Sequence, residues 1–444
     1  MLATGVSVAL LLALILRAKM HAFPALILVS IFAAIAAGMT PDAALRTVTN
    51  GMGGSLGFIA VVVGLGAMFG VFLQSGGGVE AISTWLLDKM GIKAGRWAMG
   101  IVGLVVAIPV FFDVALIILA PIIFGLAKRA KTAPMAFGLP LLAGLATAHA
   151  FIPPTPGPIA VAELLGADLG WVILFGVIAG APAMLIAGPL YTRFAEKRGW
   201  LEGSSEGMAE ALGMTHLDKD VNPHAARTAI SVILIPLVLI LAGTIAKSTL
   251  AEGQVLTFIS FVGHPFVALL IACGVAHLAF RPKDKAQKSV YREALSKALE
   301  PAGAVILITG AGGAFKQVLV DTGAGKALAE AAMSAGLAPI VAGFVLAVLV
   351  RVAQGSATVA MITAAGLTAP IVSASGLSPA QTGLVVIAIA AGASVVSHVN
   401  DSGFWLVSRY FGLTEAQTLR TWTVSVTLVG VVGFTVVCVL SLFI

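Results

Sequence analysis

Charge is scarce in this chain. Only 10% of its 444 residues are Asp, Glu, Lys or Arg, while 59% are apolar; a soluble domain carries roughly 25% charged residues. Too little polar surface remains to coat a water-soluble globule, so a polytopic membrane protein is expected. Cysteine is nearly missing: Cys273 and Cys438 both lie in apolar runs, which argues against a disulfide framework or a metal centre. Zinc and haem signatures and the glycine patterns of Walker and Rossmann sites are also missing. Their absence argues against an ATP-driven pump and a cofactor enzyme, and no cofactor is expected beyond a coupling ion. The first apolar segment, Val6 to Leu16, has no basic flank before it and no convincing cleavage site, so it reads as a retained helix. The net charge of +6 then belongs to loop lysines and arginines and implies no nucleic-acid partner.

What is abundant is apolar sequence near membrane-spanning length. Spans are expected near residues 4–17, 22–38, 56–75, 97–127, 135–165, 170–190, 228–247, 265–280, 302–321, 338–372, 380–408 and 421–443. The longest charged interval, Tyr191 to Arg227, separates two apolar halves. The expected organisation is a first transmembrane repeat over 1–190, a charged cytoplasmic linker over 191–227 and a second repeat over 228–444. Basic residues also gather at Arg17 and Lys19, at Lys89 to Arg96, at Lys128 to Lys131 and from Arg281 to Lys297. By the positive-inside rule all these should face the cytoplasm. They do so together only if residues 97–127 enter and leave on one side, as a re-entrant hairpin breaking near Pro109 to Asp113, with 338–372 as its twin from the opposite face. Each half then has about five crossings plus a hairpin, and an odd number of crossings inverts the second half.

A single self-alignment supports the duplication. Sliding the sequence by 246 positions sets Gly157 on Gly403, Val161 on Val407 and Gly166 on Gly412, and the same shift sets Gly64, Gly66, Phe69 and Leu73 on Gly310, Gly312, Phe315 and Leu319. It also places Pro153 to Pro158 opposite Val399 to Phe404, two stretches that each interrupt an apolar run. Broken helices at matching places in two halves point to the binding site of a carrier.

The polar residues at those breaks are the site candidates. The run from Gly383 to Val396 is uncharged and stops on Ser397-His398-Val399-Asn400-Asp401-Ser402-Gly403. Hydrocarbon tolerates such a cluster only around a cavity. Gly355, Ser356 and Thr358 form a small-residue tip whose half-helix amides suit a carboxylate. Helix packing by small residues is the other reading of Gly355. Thr155, Gly157, Asn400 and Ser402 are expected to complete substrate binding, with Lys316 reaching the substrate carboxylate. Asp113 stands alone in an uncharged tip, where a carboxyl group can load and release a proton; an ion pair with Arg351 is its alternative role. His149 and His398 each adjoin a break, either as titrating groups or as hydrogen-bonded structural ones. With Asp401 and Arg351 they complete the expected ion-coupling set.

These residues resemble the gluconate permeases. The similarity rests on Phe111-Phe112-Asp113, His149 through Pro158, Gly310 through Leu319, Gly355 through Ala360, Ser397 through Trp405 and Thr421-Trp422-Thr423-Val424, in order along nearly the whole chain. It implies an all-α secondary transporter of the bacterial inner membrane, a homodimer, with paired re-entrant hairpins. Members typically carry Glu at the first tip and Pro-Pro-His-Pro at the first break, where this chain has Asp113 and Pro153-Pro154-Thr155-Pro156. The expected activity is import of a small hydroxy-carboxylate, a sugar acid such as gluconate first, in symport with protons. Coupling to Na⁺, or a D-serine or short hydroxy-acid substrate, is the nearest alternative. An anion channel would need charged rings, and an enzyme would need a nucleophile and base, for which His149 with Asp401 is the only loose pair.

Overall fold

A backbone in lipid must satisfy its own hydrogen bonds, and every regular element among the described residues is a helix. The computed structural model describes residues 6–202, 223–323 and 338–444, apart from positions 8, 12, 15, 16, 19, 92, 93, 283, 284 and 400. Numbered from Ala22, the helices of the first half are α1 (Ala22–Ala36), α2 (Pro41–Ser75), α3 (Gly78–Met90), α4 (Gly95–Val106), α5 (Phe112–Ala130), α6 (Met135–Phe151), α7 (Pro156–Leu165) and α8 (Leu169–Lys197). There follow α9 (Pro223–Thr249), α10 (Gln254–Val262), α11 (Pro265–Phe280), α12 (Lys285–Lys297), α13 (Glu300–Asp321), α14 (Pro339–Gln354), α15 (Ala357–Ala374), α16 (Pro379–Ala393), α17 (Ser402–Tyr410) and α18 (Glu415–Leu440). Among the described residues six spans are long and apolar enough to cross a membrane, and α10 with α11, bent by 58°, pass together as a seventh. The fold is the all-α, multi-pass architecture expected.

Local chemistry sets the helix limits. Proline opens α2, α7, α11, α14 and α16 in the first turn, where its missing N–H forfeits nothing. Ser378 and Gln381 add a reciprocal capping box to α16. Helix starts recur at nearly one spacing, at 22 and 265, 95 and 339, 112 and 357, 135 and 379, 156 and 402, and 169 and 415. α8 stays helical to Lys197, past the boundary expected at residue 190, because Glu196 bonds Arg96 at 2.6 Å and Arg193 lies over Trp97. Positions 203–222 of the charged interval lie outside the described residues.

Several helices are too short to span, among them one at each interruption. α4 has 12 residues, α7 has 10, α14 has 16 and α17 has 9; at 1.5 Å per residue they reach about 14 to 24 Å against a hydrocarbon layer of about 30 Å. Their polar ends therefore stop inside protein. Close backbone packing holds them: a Cβ on Gly103 would lie 2.3 Å from the Leu141 carbonyl, joining α4 to α6, and one on Gly392 would lie 2.3 Å from the Phe344 carbonyl, joining α16 to α14. Small residues give membrane helices such contact without a hydrophobic drive. Leu234, Val238, Ile245, Phe258, Phe261 and Leu278 leave α9, α10 and α11 with an exposed apolar surface, suited to lipid.

Candidate functional site

Each interruption delivers a helix N-terminus to the interior. Gly355 takes φ 81°, in the left-handed region, and so allows α14 to stop and α15 to begin two residues later. Ser356 caps α15, its hydroxyl accepting from Val359 N at 3.4 Å. Asp401 caps α17, accepting from Gly403 N at 3.0 Å. At the two breaks of the first half no side chain caps: Phe111 precedes α5, and Thr155, which precedes α7, turns its hydroxyl back to the Ile152 carbonyl at 2.8 Å.

The four N-termini meet around a cavity of about 320 Å³. Phe112 and Asp113 line it from α5, Ala146 and His149 from α6, Pro156 from α7, and Ile308 from α13. Arg351, Ser356 and Thr358 come from the second tip, Ser394, Asp401 and Ser402 from the last break, and Trp422 from α18. Ligand pockets run roughly 300–1,000 Å³, so this one suits a small molecule. Converging positive helix ends suit an anion.

A buried ion pair braces one side. Arg351 donates to Asp401 Oδ2 at 2.5 Å, with side chains 3% and 10% exposed. The same arginine donates to the Gly355 carbonyl, and Ser397 Oγ donates to Asp401 Oδ2. Trp422 Nε1 closes the chain by donating to Ser397 Oγ at 2.8 Å. A charge pair this deep holds only with its remaining hydrogen bonds answered, yet Arg351 Nε and His149 Nδ1 are buried with no partner among the described residues. Both residues line the cavity, so a polar ligand there can answer them.

Asp113, His149, Arg351, Ser356, Thr358, Asp401 and Ser402 are thus brought to one cavity. The side chains of Thr358 and Asp113 make no hydrogen bond or ion pair among the described residues, which leaves both available to a ligand or ion. Arg351 meets Asp401, not Asp113. Thr155, Gly157, Gly355 and His398 stand behind the walls: a Cβ on Gly157 would lie 2.5 Å from Met361 Cε, and His398 Nε2 contacts the Val352 carbonyl at 2.9 Å. Lys316 is not among the lining residues. Ile308 represents α13 there, and Lys316 lies about 12 Å further along that helix, within electrostatic reach of Glu163. Asn400 lies outside the described residues. Sequence reasoning gave no role to Ser394 or to Trp422, although Trp422 falls in a phrase shared with the gluconate permeases.

Comparison with known proteins agrees along the whole length. The model of the GntP family permease family matches residues 1–443. The low-affinity gluconate transporter of Escherichia coli (strain K12) is 44% identical over 428 residues, covering 96% of this chain and 95% of that one. The inner membrane permease YgbN of the same organism is 40% identical, with 96% and 95% covered. Neisseria gonorrhoeae MtrF, a solved structure described among a class of antimetabolite efflux pumps, superposes with a TM-score of 0.69 over 96% of each chain at 13% identity, a likeness of fold. The chain belongs to the GntP permease family: it is a multi-pass transporter of the bacterial inner membrane, and not an enzyme.

Proposed function

We propose that this permease imports gluconate or a related small hydroxy-carboxylate in symport with protons. The observation that carries the reading is the convergence of four helix N-termini, with Arg351 and an unpaired Asp113, on one cavity of about 320 Å³. The carboxylate is held by the α15 amides, Thr358 and the free Nε of Arg351, with Ser356 and Gly355 shaping that tip. The substrate hydroxyls go to Ser402 and Asn400. Asp113 carries the coupling proton, and His149 answers it across the cavity. Thr155, Gly157 and His398 support the walls, and Asp401 holds Arg351 in place. The gluconate-transporting relative supports the substrate class. The recurring helix starts support two repeats; we propose that they run in opposite orientation, joined by a cytoplasmic linker, and that a homodimer is the working unit.

The test uses purified protein in proteoliposomes. An inwardly directed proton gradient should drive gluconate accumulation without sodium, and gluconate should stabilise the protein against heat more than short hydroxy acids or D-serine do. Accumulation that requires sodium and ignores the pH gradient would replace the proton with Na⁺ in this reading. For the topology, cysteines introduced at Ser289 and Ser375 should be labelled from opposite faces of the membrane.

A further inference from the structure

From two cavities that share the Phe111 wall with a third space only large enough for about one water, we infer that the transport path has a second mouth beside α12 and that Phe111 is the gate between that mouth and the substrate cavity. The mouth is a cavity of about 180 Å³ on the far side of the first tip, and its only polar lining groups are Gln74 and Lys297. A gap of about 10 Å³ borders both, sharing lining residues with each. One water needs roughly 10–15 Å³, so this gap has room for about one water and none for a carboxylate. Phe111 lines all three spaces. His149 and Pro156 are shared by the substrate cavity and the gap, and Ala67, Pro109 and Val110 by the gap and the mouth.

The seal has one fixed side and one that can move. On the fixed side the tip rests on Gly70 of α2, where a Cβ would lie 2.3 Å from the Pro109 carbonyl, and the neighbouring break rests on Gly66, where one would lie 3.2 Å from the Pro154 carbonyl. On the other side is a single aromatic ring, packed on His149 with centroids 6.3 Å apart. Residues 107–111 belong to no helix, so a rotamer change at Phe111 or a small shift of the tip opens the gap without breaking a helical ladder. Beyond it, Lys297 forms an exposed pair with Glu293 at 2.8 Å, side chains 61% and 65% exposed, and is positioned to attract a carboxylate. Such exposed pairs are weak and readily exchanged.

This inference rests on the larger cavity being the substrate site, and the experiment separates the two. In a chain with Cys273 and Cys438 changed to serine, a single cysteine is placed at Val71, in the mouth, or at Ala146, in the substrate cavity. A charged, membrane-impermeant thiosulfonate is then supplied to one face of reconstituted vesicles. Val71→Cys should react from one face only, which defines the mouth side, and Ala146→Cys should react slowly from that side. Phe111→Ala should raise that slow rate at least tenfold, and Gly70→Ala, whose methyl pushes the tip away, should raise it too. Phe111→Leu serves if the alanine variant does not reach the membrane. An Ala146→Cys rate unmoved by these changes, or equal to that of Val71→Cys before them, overturns the gate, and a Val71→Cys unreactive from both faces overturns the mouth. Gluconate should protect Ala146→Cys, and failure to protect strikes the substrate-site reading while the Phe111 comparison still decides the gate.

Discussion

The two sides of the cavity are built from corresponding stretches of sequence yet stabilised in opposite ways. On the second-half side Arg351, Asp401, Ser397 and Trp422 form one buried chain of hydrogen bonds linking the tip, the break and α18. On the first-half side the positions opposite Arg351 and Asp401 at the 246-residue offset are Val105 and Thr155, and no ion pair crosses between them. The carboxylate there, Asp113, is accessible and unpaired among the described residues. We read the difference as a division of labour: the braced side fixes the geometry for an anion, and the unbraced side keeps a titratable group and a tip that can move.

Breaking the brace should have the largest effect. Removing one member of a buried pair strands the other charge and costs about 3–5 kcal/mol, so Arg351→Ala should lower thermal stability in detergent and abolish substrate binding together. If Arg351→Ala melts like the parent, the two sides are not stabilised differently.

Asp113→Asn probes the other side and should split function from stability. Uphill accumulation driven by a pH gradient should vanish, whereas exchange between equal substrate pools persists because it need not release the proton. Stability should change by no more than about 0.5 kcal/mol, as for a residue with no partner to lose. Unaltered pH-driven accumulation would take Asp113 out of the mechanism.

Thr358→Val keeps the side chain's shape and removes one hydrogen bond to a charged ligand, a loss of roughly 1.5–3 kcal/mol. Calorimetric affinity should fall about ten- to a hundredfold, and by the same factor for every carboxylate that binds. A loss confined to polyhydroxylated acids would mean that the substrate sits the other way round.

The smallest effect is expected at Thr155, whose hydroxyl is spent on the Ile152 carbonyl. Thr155→Val should cost about 1 kcal/mol of stability and leave substrate affinity within twofold of the parent. A loss of affinity as large as that of Thr358→Val would move Thr155 from the wall into the site.

The sequence by itself determined the class of protein, the places where helices break and the residues standing at those breaks. Those are local properties: run length without charge specifies a membrane helix, and Pro153 to Pro158 or Gly355 interrupt one whatever surrounds them. The family was legible for the same reason, since its phrases are contiguous. Tertiary structure alone decided which groups meet. Arg351 lies nearer in sequence to Asp401 than to Asp113, but neither spacing predicts contact, because the partner depends on how α14 and α17 cross. Lys316 fell outside the cavity because helix rise carried it about 12 Å past Ile308. Phe111 became the wall of three spaces only when its tip was laid against Gly70 of α2, a contact between segments about 40 residues apart that no local pattern encodes.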